Sequence, residues 1–349
     1  MSKYSVIADK LREEIKSGVY AKSGKLPTEY ELVTRFNVSR QTVRQAISSL
    51  KAEGVVYQIQ GSGTFVAKES PAEHRGKESA FRNIFVICTY ISEYIFPSIV
   101  RGIESTLNGT GYRIHIAATG NKVDLERKIL NDVIKLQECD GIIVEGSKTG
   151  FPNPNINLYR QIEEMGIPVV FLHCSYQELP DSVVVGMDDR KGGKIAAKKL
   201  VDAGCRKLLG IFKSDDRQGL MRYAGFSEGI LEAGLTLDSL ELRWYTTEDT
   251  ANHGQNVLNA MENILKSDID GVVCYNDQVA VALIRDLTRR GVPIPKIVSF
   301  DDSYLCKSSP IRFDSLGHQK ENLGVLAANK IRNMVEGKKE TSAFMDWVV

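Results

Sequence analysis

The spacing of apolar and polar positions changes character three times along the chain. Over residues 4–17, Ile7, Ala8, Leu11 and Ile15 recur at helical intervals with Gly18 just beyond, which predicts a first amphipathic helix. From Leu26 to Val66 the pattern reads as helix, tight turn, helix and two-stranded ribbon. Thr28 and Glu31 are spaced as a T-x-x-E capping box ahead of a helix that turns Leu32, Val33 and Phe36 inward. Asn37, which tolerates left-handed backbone, falls in the turn. Ser39 then caps a second helix whose Val43, Ala46, Ile47 and Leu50 lie at i, i+3, i+4 and i+7, one buried stripe. Gly54 stands where that helix would stop. The ribbon sets Val56, Gln58 and Gln60 against Val55, Tyr57 and Ile59, turns at Gly61, Ser62 and Gly63, and returns through Thr64, Phe65 and Val66. Between Lys68 and Arg82 apolar residues almost vanish, so residues 1–68 are expected to form one domain, 69–82 a flexible linker and 83–349 the body.

In the body, apolar strand-like runs alternate with helical patterns of about a dozen residues. The runs begin with the continuous Ile84–Cys88 stretch and continue at Tyr112–Ala118, Gly141–Val144 and Ile167–Leu172, with helices predicted after Pro97, over Asp124–Cys139 and over Leu158–Met165. Such alternation implies an α/β fold with doubly wound parallel sheets. A weak repeat relates Asp140-Gly-Ile-Ile-Val-Glu145 to Asp270-Gly-Val-Val-Cys-Tyr275, each followed by a helix and a Gly-x-Pro start to the next strand. Duplication of one βαβ lobe accounts for it, and ligands of such sheets bind beyond the carboxyl ends of the strands.

Composition refines this picture in one respect. The formal net charge is +1, but residues 1–68 hold 11 Lys and Arg against 6 Asp and Glu, a balance of +5, and the remainder balances at −4. A basic head on an acidic body points to nucleic acid held at the N-terminal end. Six scattered cysteines without a C-x-x-C suggest neither a metal site nor a disulfide framework, and no cofactor is expected. No run reaches the ~18 apolar residues of a membrane span, and the first residues lack a secretory apolar core, so no membrane partner and a cytoplasmic location are expected. No G-x-S-x-G elbow, Walker A loop, H-E-x-x-H or strand-borne G-x-G-x-x-G occurs, which argues against an enzyme.

Off the buried stripe of the second head helix stand Arg40, Gln41 and Arg44, with Thr42 among them. A recognition helix needs this arrangement, because its first turns reach base edges while its apolar face anchors it. Arg pairs bidentately with guanine and Gln with adenine. Lys3 and Tyr4 are candidates for an N-terminal arm on phosphate, Glu29 joins the candidate contacts, and Gln60, Gly61 and Gly63 form a ribbon tip able to approach DNA closely. Leu26-Pro27-Thr28-Glu29, Val38-Ser39-Arg40, Thr42-Val43-Arg44, Leu50–Gly54 and Gly61–Val66 together closely resemble the winged helix-turn-helix of the GntR family of bacterial regulators.

The body resembles the sugar-responsive domain of LacI/GalR repressors and periplasmic sugar-binding proteins. The resemblance is carried by Phe96 with Arg101-Gly102-Ile103-Glu104, Asp140–Ile143, Ile167–Val170, Met187-Asp188-Asp189, Arg222–Phe226, Tyr275-Asn276-Asp277 and Val298–Asp302. It implies two lobes joined by three crossovers, expected at roughly 83–186 with 312–336 and 187–311 with 337–349, and a homodimer formed through the body. By the family motif Arg222, Asn276 and Asp301 would hold ligand hydroxyls, with Asp188 beside the first crossover. Read from the residues themselves, Tyr90, Glu93, Phe96, Glu145, His173, Tyr245 and His318 also fall at or near predicted strand ends, and Trp244 is a further stacking candidate. A head of one family on a body of the other resembles the arabinose-operon repressors of Gram-positive bacteria. That implies operator DNA and a small sugar, L-arabinose foremost, as partners; a different sugar or a purine corepressor is the alternative.

Overall fold

The structure, a computed structural model, describes residues 3–20, 24–52, 55–59, 63–66, 81–91, 94–251, 264 and 268–349. The chain divides into two compact units, Met1–Ser79 and Ala80–Val349.

The first unit holds α1 (Lys3–Lys16), α2 (Glu29–Phe36), α3 (Arg40–Ala52), β1 (Val56–Ile59) and β2 (Gly63–Val66). Its core joins Ile7, Leu11, Leu26, Leu32, Val43, Ile47, Leu50 and Val56, the positions set by the helical and alternating periods. The capping box is made in both directions: Thr28 N donates to Glu31 Oε2 at 2.7 Å and Glu31 N to Thr28 Oγ1 at 3.3 Å. Asn37 takes the left-handed conformation at φ 50°, and Thr42 N donates to Ser39 Oγ at 3.2 Å. The ribbon is antiparallel, with Val56 opposite Val66 and Ile59 opposite Gly63. Gly54, Gln60, Gly61 and the 67–80 stretch lie outside the described residues.

The second unit begins earlier than expected, since Arg82 opens β3 (Arg82–Cys88) instead of closing a linker. Its amide donates to Gly111 O at 2.8 Å, and it pairs with Tyr112 in register. There follow α4 (Phe96–Leu107), β4 (Tyr112–Ala118), α5 (Val123–Leu136), β5 (Gly141–Val144), α6 (Ile156–Glu164), β6 (Val169–Leu172) and β7 (Val183–Met187). The second lobe supplies α7 (Asp189–Asp202), β8 (Leu208–Lys213), α8 (Arg217–Glu232), β9 (Leu240–Tyr245), α9 (Thr247–Ala251), β10 (Gly271–Cys274), α10 (Asp277–Arg289), β11 (Lys296–Asp301), α11 (Tyr304–Ser308) and β12 (Asp314–Gly317). The chain ends with α12 (Lys320–Val335) and β13 (Ala343–Met345). The α5 helix is shorter than its pattern, stopping where Gln137 turns left-handed at φ 51°.

Both sheets are parallel. Their orders, β13-β7-β6-β5-β3-β4 and β12-β11-β10-β8-β9, are one topology written twice, with β13 added at an edge. The repeat seen in the sequence has a structural counterpart. Asp140 accepts the Asn83 amide at 2.7 Å at the start of β3, and Asp270 accepts the Arg206 and Lys207 amides at 2.8 and 2.9 Å just ahead of β8. Each lobe also crosses two helices through glycine. A Cβ on Gly324 would lie 2.0 Å from Ile99 O, and one on Gly225 would lie 1.8 Å from Arg190 O. Backbones approach that closely only where no side chain intervenes.

The lobe boundaries at the C-terminal end need correction. The 312–319 stretch expected in the first lobe carries β12, which pairs with β11 of the second; the 337–349 stretch expected in the second carries β13, which pairs with β7 of the first. The reason is chemical. Asp-Ser-Leu-Gly has a single apolar anchor, Leu316, and it enters the second lobe's core, so hydrophobic runs could not reveal the strand. The α12 helix does belong to the first lobe, packing Leu323, Ala327 and Ile331 against α4.

Candidate functional site

On the first unit, the exposed side of α3 carries Arg40, Gln41 and Arg44. Glu29, at the start of α2, organises two of them: its carboxylate accepts Arg40 Nε at 2.8 Å and Arg44 Nε at 3.0 Å. The two arginine side chains nevertheless remain 69% and 61% exposed, so they are aligned without being consumed. The Arg40 hydrogen bond, with Arg44 adding to it against the burial of the carboxyl, lowers the Glu29 pKa. Thr42 is tied back to Ser39 by a 2.8 Å hydroxyl contact. Tyr4 is exposed on α1, and Gly63 opens β2 at φ 124°, beneath the Lys25 side chain. The Lys3 side chain, Gln60 and Gly61 fall outside the described positions.

On the second unit, the strand ends of the two lobes meet. From the first lobe, Glu145 follows β5 and accepts the Thr89 amide at 2.9 Å as well as its hydroxyl. His173 follows β6 with φ 65°, its Nε2 at 3.8 Å from Glu145. From the crossovers comes His318, whose ring meets that of His173 edge-on at 5.4 Å and that of Trp347 at 5.7 Å. Both imidazoles are buried, and none of their four nitrogens has a hydrogen-bond partner. Burial lowers the His173 pKa to about 4 and takes His318 well below the ordinary range, so both rings are neutral at neutral pH. The 3.8 Å approach to Glu145 is therefore a contact with a neutral ring; burial also raises the Glu145 carboxyl's own pKa.

The second lobe contributes Arg222, fully buried. Its guanidinium donates to Asp189 Oδ1 at 2.8 Å and Tyr275 O at 2.5 Å, lies 3.9 Å from Asp301 Oδ1, and sits against the rings of Phe300, Tyr275 and Trp347. Burial raises the Asp301 carboxyl to about 6 although Arg222 opposes it. Lys213 is buried against Asp216 at 2.6 Å, and Tyr275 Oη donates to the same carboxylate at 3.2 Å.

The lobes touch directly. Tyr94 Oη donates to Asp301 Oδ2 at 2.5 Å, Asn121 Nδ2 to Thr247 Oγ1 at 2.6 Å and Arg217 N to Thr149 Oγ1 at 3.1 Å, while Lys148 pairs with Glu248. Between them remains a cavity of ≈ 10 Å³ lined by Thr89, Glu145, His173, Cys174 and Asp216 among others. One water needs roughly that much room, so this cavity takes a sugar only as the lobes part or side chains rearrange.

The structure thus gathers Glu145, His173, Arg222, Asp301 and His318, and reassigns others. Phe96 belongs to the first lobe's core, where it packs with Ile99 and Ile103. Asp188 caps α7 by accepting Lys191 N at 2.9 Å; its neighbour Asp189 is the one that turns inward to Arg222. Asn276 caps α10 by accepting Val279 N at 3.1 Å. Tyr245 is buried edge-on against Tyr275, Tyr90 is about half exposed beyond β3, and Trp244 packs on Tyr223. Glu93 lies outside the described residues. Tyr94, Asp189, Lys213 and Asp216 also line this region, although none was a candidate from the sequence. Asp189 and Asp216 carried a signal, since two aspartates where a strand gives way to a helix leave one free to face inward. Among the described residues no group of three or more His, Cys, Asp or Glu is arranged to hold a metal, and no helix is long and apolar enough to cross a membrane.

Comparison with known proteins fits both units. Residues 3–66 match the bacterial regulatory proteins of the gntR family, and residues 82–348 match the periplasmic binding proteins and sugar binding domain of the LacI family. Among solved structures, a LacI family transcriptional regulator from Enterococcus faecium with bound ribose superposes with a TM-score of 0.64 at 19% identity, covering 76% of this chain and 96% of that one. The transcription regulator CcpA of Lactococcus lactis gives 0.65 at 22%, with the same coverage. The class is therefore a transcriptional repressor, not an enzyme, in which a winged DNA-binding head is joined to a sugar-binding domain. The arabinose metabolism transcriptional repressors of Halalkalibacterium halodurans and Geobacillus stearothermophilus are 37% and 34% identical, over 97% and 96% of this chain and 91% and 92% of theirs. This chain belongs to their family.

Proposed function

We propose that the chain acts as a homodimer whose two heads bind a palindromic operator in the cytoplasm, and that L-arabinose in the cleft releases it. The observation that carries this reading is the convergence of polar groups from both lobes, with Glu145 and His173 after strands on one side and Arg222 of α8 and Asp301 of β11 on the other. Carboxylates and neutral imidazoles suit vicinal hydroxyls, which both donate and accept. The names of the two near-full-length relatives favour arabinose over other pentoses. A ligand that shifts the lobes against one another changes operator affinity only through its unequal affinity for the two arrangements, and a coupling of about 1–3 kcal/mol makes a usable switch.

Calorimetry of the full-length protein with L-arabinose, D-ribose, a hexose and a purine tests the ligand, and gel shifts on operator DNA test release. Heat and release with L-arabinose are expected. A response to another sugar alone would replace the effector, and operator binding tightened by the purine would make the ligand a corepressor. On the head, alanine at Arg40 or Arg44 is expected to weaken operator binding by about 1–3 kcal/mol each. Glu29→Ala, which unties both, is expected to broaden the set of sequences bound. Undiminished footprints in both arginine variants would remove α3 from base recognition.

A further inference from the structure

The Asp301 turn is held from across the cleft at two points. Asp301 leaves β11 with φ 99° and Asp302 follows at 41°, two consecutive non-glycine residues in left-handed backbone. Lys320, the first residue of α12 in the first lobe, donates to the carbonyls of both, at 2.5 and 3.2 Å. Tyr94, also from the first lobe and itself at φ 81°, reaches the side chain: its phenol donates to Asp301 Oδ2 at 2.5 Å. The Tyr94 phenol oxygen in turn accepts the Asp277 amide at 3.2 Å. That amide is the first of α10, where helix N–H groups lack internal partners.

One hydroxyl therefore serves a carboxylate as donor and a helix N-terminus as acceptor, and both of those partners belong to the second lobe. These are the two bonds a sugar hydroxyl would make in that position. Asp301 is within 3.9 Å of Arg222, so the phenol stands beside groups expected to hold the ligand.

We propose that the Tyr94 hydroxyl is a tethered stand-in for a sugar hydroxyl, occupying the place at Asp301 and the α10 N-terminus that the effector must take over. This rests on the reading of the cleft as a sugar site. Tyr94 then sets the sugar concentration at which the repressor responds, because each binding event first breaks a charge-assisted hydrogen bond that also joins the lobes. A free alcohol at the same position would be displaced by dilution; a phenol fixed to the first lobe is not.

Tyr94→Phe keeps the ring and removes the competing oxygen. Titration of the full-length protein with L-arabinose is expected to show about tenfold tighter binding in the variant than in wild type, the size of one hydrogen bond to a charged group. The sugar midpoint for operator release should fall by a similar factor. Unchanged or weaker sugar binding in the variant would overturn the inference, the weaker case making Tyr94 a direct ligand contact. Thermal melts separate this role from simple bracing: without sugar the variant should melt below wild type, and saturating sugar should close that gap. A gap of equal size with and without sugar would also overturn it. If neither protein binds any sugar of the panel, the sugar reading itself fails and takes this inference with it. Binding by wild type with no gain in the variant sinks the inference alone.

Discussion

Replacing Arg222 with alanine is expected to destabilise the body by about 3–5 kcal/mol, enough to lower its melting temperature by on the order of ten degrees. Such a cost is large because the guanidinium is the counter-charge for two buried carboxylates. Asp189 lies 2.8 Å from its Nε, Asp301 3.9 Å from its other side, and three aromatic rings fill the space around it. Alanine leaves both acids buried without their partner and the rings around a void. A double variant, Arg222→Met with Asp189→Asn, removes one of the stranded charges along with the cation and should recover part of the loss. A single variant that melts within two degrees of wild type would refute this account. The consequence for ligand work is direct: loss of sugar response in Arg222→Ala reports a damaged lobe as much as a missing hydroxyl partner.

Acid stability is expected to split three ways. His173 has a folded pKa of about 4 against an ordinary 6.5, so the folded protein takes up its proton later than the unfolded chain does. Its contribution destabilises the fold as pH falls below 6.5 and is complete below 4, on the order of 3 kcal/mol. His318 acts in the same direction. Asp301 works oppositely, its carboxyl at about 6 in the fold against 3.8, so protonation between those values favours the folded state. The groups bearing on His173 are Asp189, Arg222 and Asp216, with Glu145 in contact, and those bearing on His318 are His173, Lys320 and Arg222. Two histidines against one carboxyl should leave wild type losing stability on balance from pH 6 to 4. His173→Asn should gain stability relative to wild type over that window, and Asp301→Asn should lose it. Parallel curves for all three proteins, measured by thermal melts from pH 7 to 4, would contradict the assignment.

The head was almost wholly legible, because its signals are local. A capping box, an αL asparagine and a stripe at i, i+3, i+4 and i+7 each fix geometry within a few residues, and all were found in place. The body's strands were legible where continuous apolar runs are buried on both faces, as in β3, β5 and β6. β12 and β13 were not, because short edge strands with one or two anchors look like loops. The cleft was legible at the level of strand ends. Which side chain at each end points inward depends on capping and on contacts hundreds of residues apart. Asp188 and Asp189 are neighbours with opposite fates, and Tyr94 is joined to Asp301 across 207 positions of sequence. No periodicity encodes such a pairing.

The last strand has a bearing on how the protein comes to exist in the cell. β13 lies along β7, so residues 343–345 close a lobe that was begun at residue 82, and Trp347 just beyond packs against Phe300 and donates to Asp188 O at 2.9 Å. A ribosome that has delivered both lobes' inner strands still withholds α12 and this edge. Domains generally fold as units during synthesis, N-terminal first. Here the described elements of the head lie at or before Val66, whereas the first lobe lacks its edge strand until residues 343–345 have been made. A nascent chain accordingly completes its winged head well before it completes the lobe that begins at residue 82.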